Sequence, residues 1–417
     1  MMPSGDPQAG DKRTFALLGA FLFLTSAATT VLSAAKNGLF LSIYSSRLIP
    51  QAVISAALLT AVIALLFTGI ATRLSRRVVT VGLLLFLGMS LLGGYFLFES
   101  RPRSAFFLFL WLSMTQALVA TQAWDFTGSM FTGRQAKRML PLLGIAASLG
   151  AILSGFAVAR LARILGTSIL LILAAALMAG ALGFPLLLRE PGSATVADSP
   201  GERVLRAFFR GASEGFRAIA RQPLLRVMAA GTVTIALAGA LIDLQLKFAV
   251  HDAFGRDGIT ALYGIIAGVT GICTLLLQIL SSRVLLPRLG VSFTAMFQAG
   301  AESVVALVAA LTGGIVPFAG LQITGDVLQF SVQRPVEQVS LLPYARRQKS
   351  AAVTTLGGVL RPLSKAAGGG HCPHAPHAPN PPSMGDPRCR RGGAHHLHSS
   401  STGLPCSVGR RARSPRG

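Results

Sequence analysis

Four polar side chains recur along one apolar segment near the carboxyl end of the chain. They follow one another at intervals of four, three and four residues: Gln322, Asp326, Gln329 and Gln333. This spacing places all four on one face of an α-helix. A charged group inside a bilayer is costly, so it usually faces a cavity or a partner. The stripe therefore predicts the lining of a polar cavity, and the alternative is hydrogen bonding that joins neighbouring helices.

Two other apolar segments carry ionisable residues. In LIDLQLKF, Asp243 and Lys247 stand one helical turn apart, close enough to pair. Such a pair can open when a solute arrives and so act as a gate, whereas Lys247 can instead extend to water at the outer end of its helix. Glu302 stands near the middle of its segment without an obvious partner. It is either a proton-coupling residue or a neutral, hydrogen-bonded acid.

Four more candidates lie nearer the ends of apolar segments: Lys36, Arg47, Trp124 and Asp125. At the outer ends of the first two segments, Lys36 and Arg47 attract an anion or are simply solvated. In the inner half of the fourth segment, Trp124 and Asp125 line the same cavity. Alternatively, Asp125 pairs with Arg134 or Lys137 in the loop that follows.

These residues predict solute binding without catalysis, because no catalytic constellation accompanies them. His251 is the only histidine before position 371, and the same part of the chain lacks metal-ligand spacing, a Gly-Lys phosphate loop and a nucleophile elbow. We therefore expect a protein that is not an enzyme, with no cofactor, no metal ion and no ATP motor. Any transport must be driven by a gradient or by exchange.

The elements that position these residues are predicted membrane spans. The 417 residues are 52% hydrophobic and 13% charged, whereas soluble proteins carry about 25% charged residues. A span needs about 20 mainly apolar residues. Ten segments qualify: 14–35, 48–71, 78–98, 105–131, 140–162, 167–188, 227–249, 258–280, 291–312 and 315–333. A weaker eleventh begins near Ala351. The first segment can also be read as a cleavable signal peptide, but its apolar character continues to about Ala35.

The net charge of +23 is spread over short loops, which argues against a nucleic-acid partner. Lys and Arg are more frequent in alternate loops, and this bias predicts a cytoplasmic N-terminus, residues 1–13, in the cell inner membrane. Residues 189–226 form a central cytoplasmic loop. Within it, Ser199 to Glu202 form a capping box that begins an amphipathic helix at the membrane surface.

This loop divides the chain into a six-helix half at 14–188 and an incomplete second half at 227–367. The predicted fold is an all-α, polytopic 6+6 helix bundle, truncated after about ten to eleven spans, on the plan of major facilitator transporters. Residues 368–417 hold six of the seven histidines, three of the four cysteines and eight prolines. This tail is either disordered and weakly metal-binding or an out-of-frame translation. The second alternative explains both its composition and the missing spans.

Three stretches resemble the ATP:ADP antiporter (nucleotide translocase) family and its bacterial relatives. One is Trp124–Gly155, where Trp-Asp precedes AKRMLPLLG and a helix of closely spaced small residues; the others are Lys36–Gln51 and Arg334–Val353. The resemblance covers roughly residues 14–365 and implies the facilitator fold and a nucleotide-like solute. Asn37 stands where the family has an acid, Arg47 where it has Glu, and Val53 near a lysine of nucleotide exchangers. The fold is therefore implied more firmly than ATP/ADP exchange.

The sequence thus predicts a transporter in the lipid bilayer that moves a small solute, nucleotide-like or another organic anion, by alternating access. The alternative is a non-transporting membrane anchor or scaffold that holds partners through its cytoplasmic loops. The polar stripe of residues 322–333 distinguishes the two, because a scaffold does not need it.

Overall fold

The computed structural model describes residues 7–71, 75–131, 133–188, 216–217, 219–251, 253–280, 290–333, 356 and 360–370. Most of the predicted amphipathic helix in the central loop, the stretch 334–353 and the tail beyond 370 lie outside these ranges. So do the side chains of Arg134 and Lys137.

Eleven α-helices make up the described part of the chain, in which no strand occurs. They are α1 Pro7–Leu41, α2 Ile49–Ala71, α3 Arg76–Ser100, α4 Ala105–Ser129, α5 Gly133–Leu165, α6 Ile169–Leu187, α7 Pro223–His251, α8 Arg256–Leu280, α9 Gly290–Thr312, α10 Ile315–Leu328 and α11 Arg361–Gly370. Short 3-10 turns, Ser46–Leu48 and Pro102–Ser104, precede α2 and α4. Helix α10 continues into a π-helix, Gln329–Gln333.

The helices α1 to α8 are long and apolar enough to cross a membrane, and they coincide with the first eight predicted spans. The chain is therefore a multi-pass membrane protein. The ninth and tenth predicted spans correspond to α9 and α10. Helix α10 has 14 residues and falls short of the length of a straight span, although its π continuation extends it. Helix α11 is the described end of the predicted eleventh span.

Large apolar side chains cover the outside of the bundle. Phe96 is 67% exposed, Phe107 71% and Val316 82%. A surface of this kind is unusual on a monomeric protein in water. Lipid tails, by contrast, solvate it well. The exposed residues therefore agree with the membrane assignment.

Helix α1 occupies the centre of the first six helices and packs against α4, α5, α6 and α8. Its buried face includes Leu18, Phe21 and Leu32. Gly150 of α5 lies directly on the backbone of α1, where an added Cβ would collide with the carbonyl group of Phe23. A small residue here lets two membrane helices approach at backbone distance.

The contact between α5 and α8 joins the first six helices to the later ones more extensively than any other helix pair. A Cβ at Gly155 would lie 2.5 Å from the amide nitrogen of Gly268 and 2.8 Å from the carbonyl oxygen of Gly264. Further along, Gly271 faces Ile152 and Ser148. The small residues that the sequence shows in this segment therefore form a close helix contact. On another side, α11 packs against α2 and α7.

Candidate functional site

Five ionisable side chains from four helices interact electrostatically in the bundle: Lys36 of α1, Asp243 and Lys247 of α7, Asp326 of α10 and Lys365 of α11, of which Lys365 is exposed and the other four are buried or half-buried. We call them the central charge cluster. Both Lys36 and Asp326 interact electrostatically with the same three residues, Asp243, Lys247 and Lys365. With all five charged, three ammonium groups stand against two carboxylates, and Arg361 of α11 adds a further positive charge beside Lys365.

Within α7, Lys247 donates a hydrogen bond to Asp243, as the spacing of the two residues predicts. The Lys247 side chain is only 3% exposed, whereas Asp243 is 33% exposed. Lys247 therefore does not extend to water. The carboxylate covers the ammonium group and keeps part of its own surface open, so a solute can reach Asp243 before it reaches Lys247.

Lys36 lies inside the bundle, more than a helical turn before the end of α1. Its Nζ donates to Oε1 of Gln116 in α4 at 2.8 Å and lies 5.8 Å from the centre of the Phe109 ring. A lysine over an aromatic face gains a cation–π attraction. Lys36 is therefore held by neighbouring side chains and is not simply solvated at a helix end, which was the alternative in the sequence analysis.

The polar stripe continues from α10 into the π segment. Nε2 of Gln322 donates to Oδ2 of Asp326 at 2.9 Å, so the first two members are paired. Gln329 and Gln333 lie in the π segment that follows. Ser331 in this segment donates to the Thr274 carbonyl oxygen of α8 at 3.1 Å. The prediction that all four residues line one cavity stays a prediction.

Glu302 has a partner that the sequence analysis overlooks. Nε2 of Gln298, one turn earlier on α9, donates to Oε1 of Glu302 at 3.0 Å, and the carboxyl group is half-buried. No described contact joins this pair to the central charge cluster.

The other three predicted residues lie elsewhere. Asp125 forms an ion pair with Arg76 at the start of α3, with a distance of 3.3 Å and side chains that are 56% and 54% exposed. Trp124 is half-buried against the apolar core, and Arg47 is exposed in the turn before α2. No described contact connects these three residues with the cluster.

Three residues of the site are missing from the sequence prediction. Gln116 holds Lys36, Lys365 adds the third ammonium group, and Tyr263 of α8 interacts electrostatically with Asp243. The Tyr263 side chain is 8% exposed, and its hydroxyl group has no hydrogen-bond partner in the described part of the chain. The amide of Gln116 in an apolar segment was a usable signal. Lys365 was hidden because the composition changes abruptly three residues later.

The cluster is chemically suited to hold an anion. Charges in an interior of low dielectric constant interact far more strongly than in water. A negatively charged solute would offset the excess ammonium group. A hydroxyl or amide on the solute would find partners in Tyr263 and Gln116.

No protein-family model matches the chain, and no curated protein sequence matches it. Solved structures do resemble it. The nucleoside transporter NupG is 15% identical with a TM-score of 0.60, covering 85% of this chain and 89% of its own. The human organic anion transporter MFSD10 (TETRAN) is 16% identical with a TM-score of 0.58, covering 86% and 92%.

The description of a third similar structure includes the name of a transporter superfamily. The Major Facilitator Superfamily transporter FucP, in the outward conformation, is 16% identical with a TM-score of 0.52, covering 85% of this chain and 89% of its own. Identities this low show the fold alone. From its helix arrangement and these likenesses, we conclude that the chain has the all-α fold of major facilitator transporters.

Proposed function

We propose that the protein is a membrane transporter that moves a small organic anion by alternating access, with the central charge cluster as its solute site. The observation that carries the proposal is the electrostatic interaction of five ionisable side chains from four helices, four of which are buried or half-buried. Moving an ion from water into a protein interior costs several kcal/mol even after relaxation. A bundle that only anchors partners gains nothing from this cost.

The sign of the charge favours an anionic solute. The three lysines, together with Arg361 beside Lys365, outnumber the two aspartates, and Lys365 has no hydrogen-bond partner among the described residues. The name of one structural neighbour, an organic anion transporter, agrees with this choice. A nucleotide-like anion is also what the resemblance to the ATP:ADP antiporter family implies, so we place such solutes first among the candidates.

Each member of the cluster has a separate role in the proposal. Lys36 and Lys365 attract the anion. The pair of Asp243 and Lys247 opens to let Lys247 contact it. Asp326, held by Gln322 at 2.9 Å, balances the ammonium groups when the site is empty. Glu302 remains a candidate for coupling to a second ion because it lies apart on α9.

The remaining proposals concern the surroundings of the site. We place the protein in the cell inner membrane with residues 1–13 in the cytoplasm. Residues 14–188 and 227–367 form the two halves that rock about the site, and 189–226 form the cytoplasmic loop between them. Trp124, Asp125 and Arg47 belong to the ends of the solute path, and Gln329 and Gln333 to its wall.

The test is uptake into proteoliposomes, with radiolabelled ATP, AMP, uridine, citrate and lactose as probes. At least one anion should accumulate, and Asp326→Asn and Lys365→Gln should each lower its uptake by about tenfold or more, since each changes the charge of the site. Glu99→Gln, an exposed carboxylate at the end of α3, is the control and should retain uptake. Folded protein that takes up none of the five probes would favour the anchor alternative. Uptake of uridine or lactose alone would refute the anionic solute.

A further inference from the structure

A group of three polar residues joins the first six helices to α8 at one end of the bundle. The amide nitrogen of Thr167, between α5 and α6, donates to Oδ1 of Asp257 at 2.9 Å, and its hydroxyl donates to the same oxygen at 2.7 Å. The hydroxyl groups of Thr167 and Thr260 lie 2.8 Å apart. Both threonines are fully buried, whereas Asp257 is 43% exposed. We call these three residues the outer latch.

Helix α1 is pressed against the same point. A Cβ at Gly38 would overlap the Thr260 hydroxyl and lie 3.1 Å from the Arg256 carbonyl oxygen. Any larger residue at position 38 would therefore push α1 away from α8. The latch consequently depends on close contact as well as on hydrogen bonds.

Two further contacts hold the chain around the latch. Nε2 of His251, at the end of α7, lies 2.8 Å from the Tyr44 carbonyl oxygen in the turn after α1. The Arg256 guanidinium group lies 5.7 Å from the centre of the Phe98 ring near the end of α3. The segment between α7 and α8 is thus fixed to three separate parts of the first six helices.

The latch lies between this end of the bundle and the central charge cluster. The ends of α1, α3, α5 and α7 and the start of α8 meet here, whereas Arg76 and Asp125 pair at the opposite end of α3. One turn deeper on α8 than Thr260, Tyr263 interacts electrostatically with Asp243 of the cluster. Along α8 the latch thus lies nearer this end of the bundle than the residue that interacts with the cluster.

We infer that the outer latch closes one end of the solute path and opens once in each transport cycle. This inference rests on the proposed function, because only a carrier needs to part these contacts. The chemistry suits a reversible contact: when the latch opens, water replaces each lost hydrogen bond at little net cost. The half-exposed Asp257 is the point at which water enters first.

The experiment measures accessibility and requires no solute. The parent replaces Cys273, Cys372, Cys389 and Cys406 by serine and carries Tyr263→Cys as a reporter below the latch. A membrane-impermeant maleimide is applied to right-side-out and to inside-out vesicles. A second protein with Glu99→Cys identifies which vesicle face exposes the latch end, because Glu99 is exposed at the end of α3.

In the reporter protein, Asp257→Ala should raise the labelling rate about tenfold from the latch face, since the acceptor of two hydrogen bonds is lost. Thr260→Val, which keeps the shape and removes one hydroxyl, should raise it about threefold. Asp257→Asn retains an acceptor oxygen and should stay near the parent rate. Glu99→Ala is the control at the same end of the bundle and should leave the rate unchanged.

A second arm avoids the reporter at Tyr263, in case that variant does not fold. Thr167→Cys and Thr260→Cys should cross-link under copper phenanthroline, and Asp257→Ala should slow this reaction about tenfold. Unchanged labelling and unchanged cross-linking in folded Asp257→Ala would overturn the latch. Uptake that still depends on Asp326 would leave the transporter standing in that case, so the two failures can be told apart.

Discussion

The first six helices and the later ones bury their polar groups in different ways. In the first set, neutral side chains pair with each other: Nε2 of Gln122 donates to the Thr80 hydroxyl at 2.9 Å, and Nε1 of Trp111 donates to the Ser90 hydroxyl at 2.9 Å. In α7 to α11 the buried and half-buried polar groups include four ionisable side chains: Asp243, Lys247, Glu302 and Asp326. Lys36 is the member of the central charge cluster that the first set contributes.

This difference distinguishes helices that support the structure from helices that respond to a solute. A neutral pair is satisfied in one fixed geometry and holds two helices together. An excess positive charge attracts an anion. We therefore regard α1 to α6 mainly as a scaffold that presents Lys36, and α7 to α11 as the part that responds to the solute.

The sharpest test of this division is the buried ion pair on α7. Asp243→Asn leaves the Lys247 ammonium group, 3% exposed, without its counterion. We expect a loss of about 3 kcal/mol in the free energy of unfolding, the cost of breaking a buried pair. Thermal unfolding in detergent measures the effect. The double variant Asp243→Asn/Lys247→Met should recover most of the stability, and a double variant no more stable than the single one would contradict the pairing.

The helix contact between the two sets should tolerate little change in volume. In Gly155→Ala, the new methyl group would lie 2.5 Å from the Gly268 amide nitrogen, so α5 and α8 must separate. We expect a loss of about 2 kcal/mol, typical of overpacking. Gly183→Ala, on α6 with no atom within 4 Å of the added Cβ, is the control. Equal unfolding temperatures for the two variants would show that the α5–α8 contact gives way easily.

The neutral pair of the scaffold should matter for stability and little for transport. Gln122→Leu leaves the buried Thr80 hydroxyl without its donor and should cost about 1 kcal/mol in unfolding free energy. Uptake of the transported probe, corrected for the amount of folded protein, should remain unchanged. A tenfold loss of uptake without a loss of stability would assign Gln122 to the solute path and remove the contrast between the two sets.

The sequence was sufficient for features that depend on local spacing. Lipid contact demands a continuous apolar length, so α1 to α8 are visible as hydrophobic segments. The pair of Asp243 and Lys247 is visible because one helical turn separates them. Local spacing does not reveal the described partner of Asp125. That partner is Arg76, which the packing of α3 on α4 brings to this point. The pairing of Asp125 with Arg134 or Lys137 stays a prediction, because both side chains lie outside the described ones.

The rest of the site depends on contacts between distant parts of the chain. Lys36 and Gln116 are 80 residues apart and meet only through helix packing. Ser331 in the π segment and Thr274 of α8 are 57 residues apart and meet in the same way. The outer latch likewise joins Thr167 to Asp257 across 90 residues. Spacing along the sequence carries no information about such pairs, so they emerge only from the assembled bundle.

The smallest effect is expected at the exposed ion pair of the scaffold. Arg76 and Asp125 approach to 3.3 Å, but more than half of each side chain is exposed, so water already screens their charges. Asp125→Asn should therefore change the unfolding free energy by less than about 0.5 kcal/mol. Measured beside Asp243→Asn in the same detergent, it compares a carboxylate whose partner is exposed with one whose partner, Lys247, is buried. If the two substitutions cost the same, burial does not determine the strength of these pairs, and the division into scaffold and responsive part loses its physical basis.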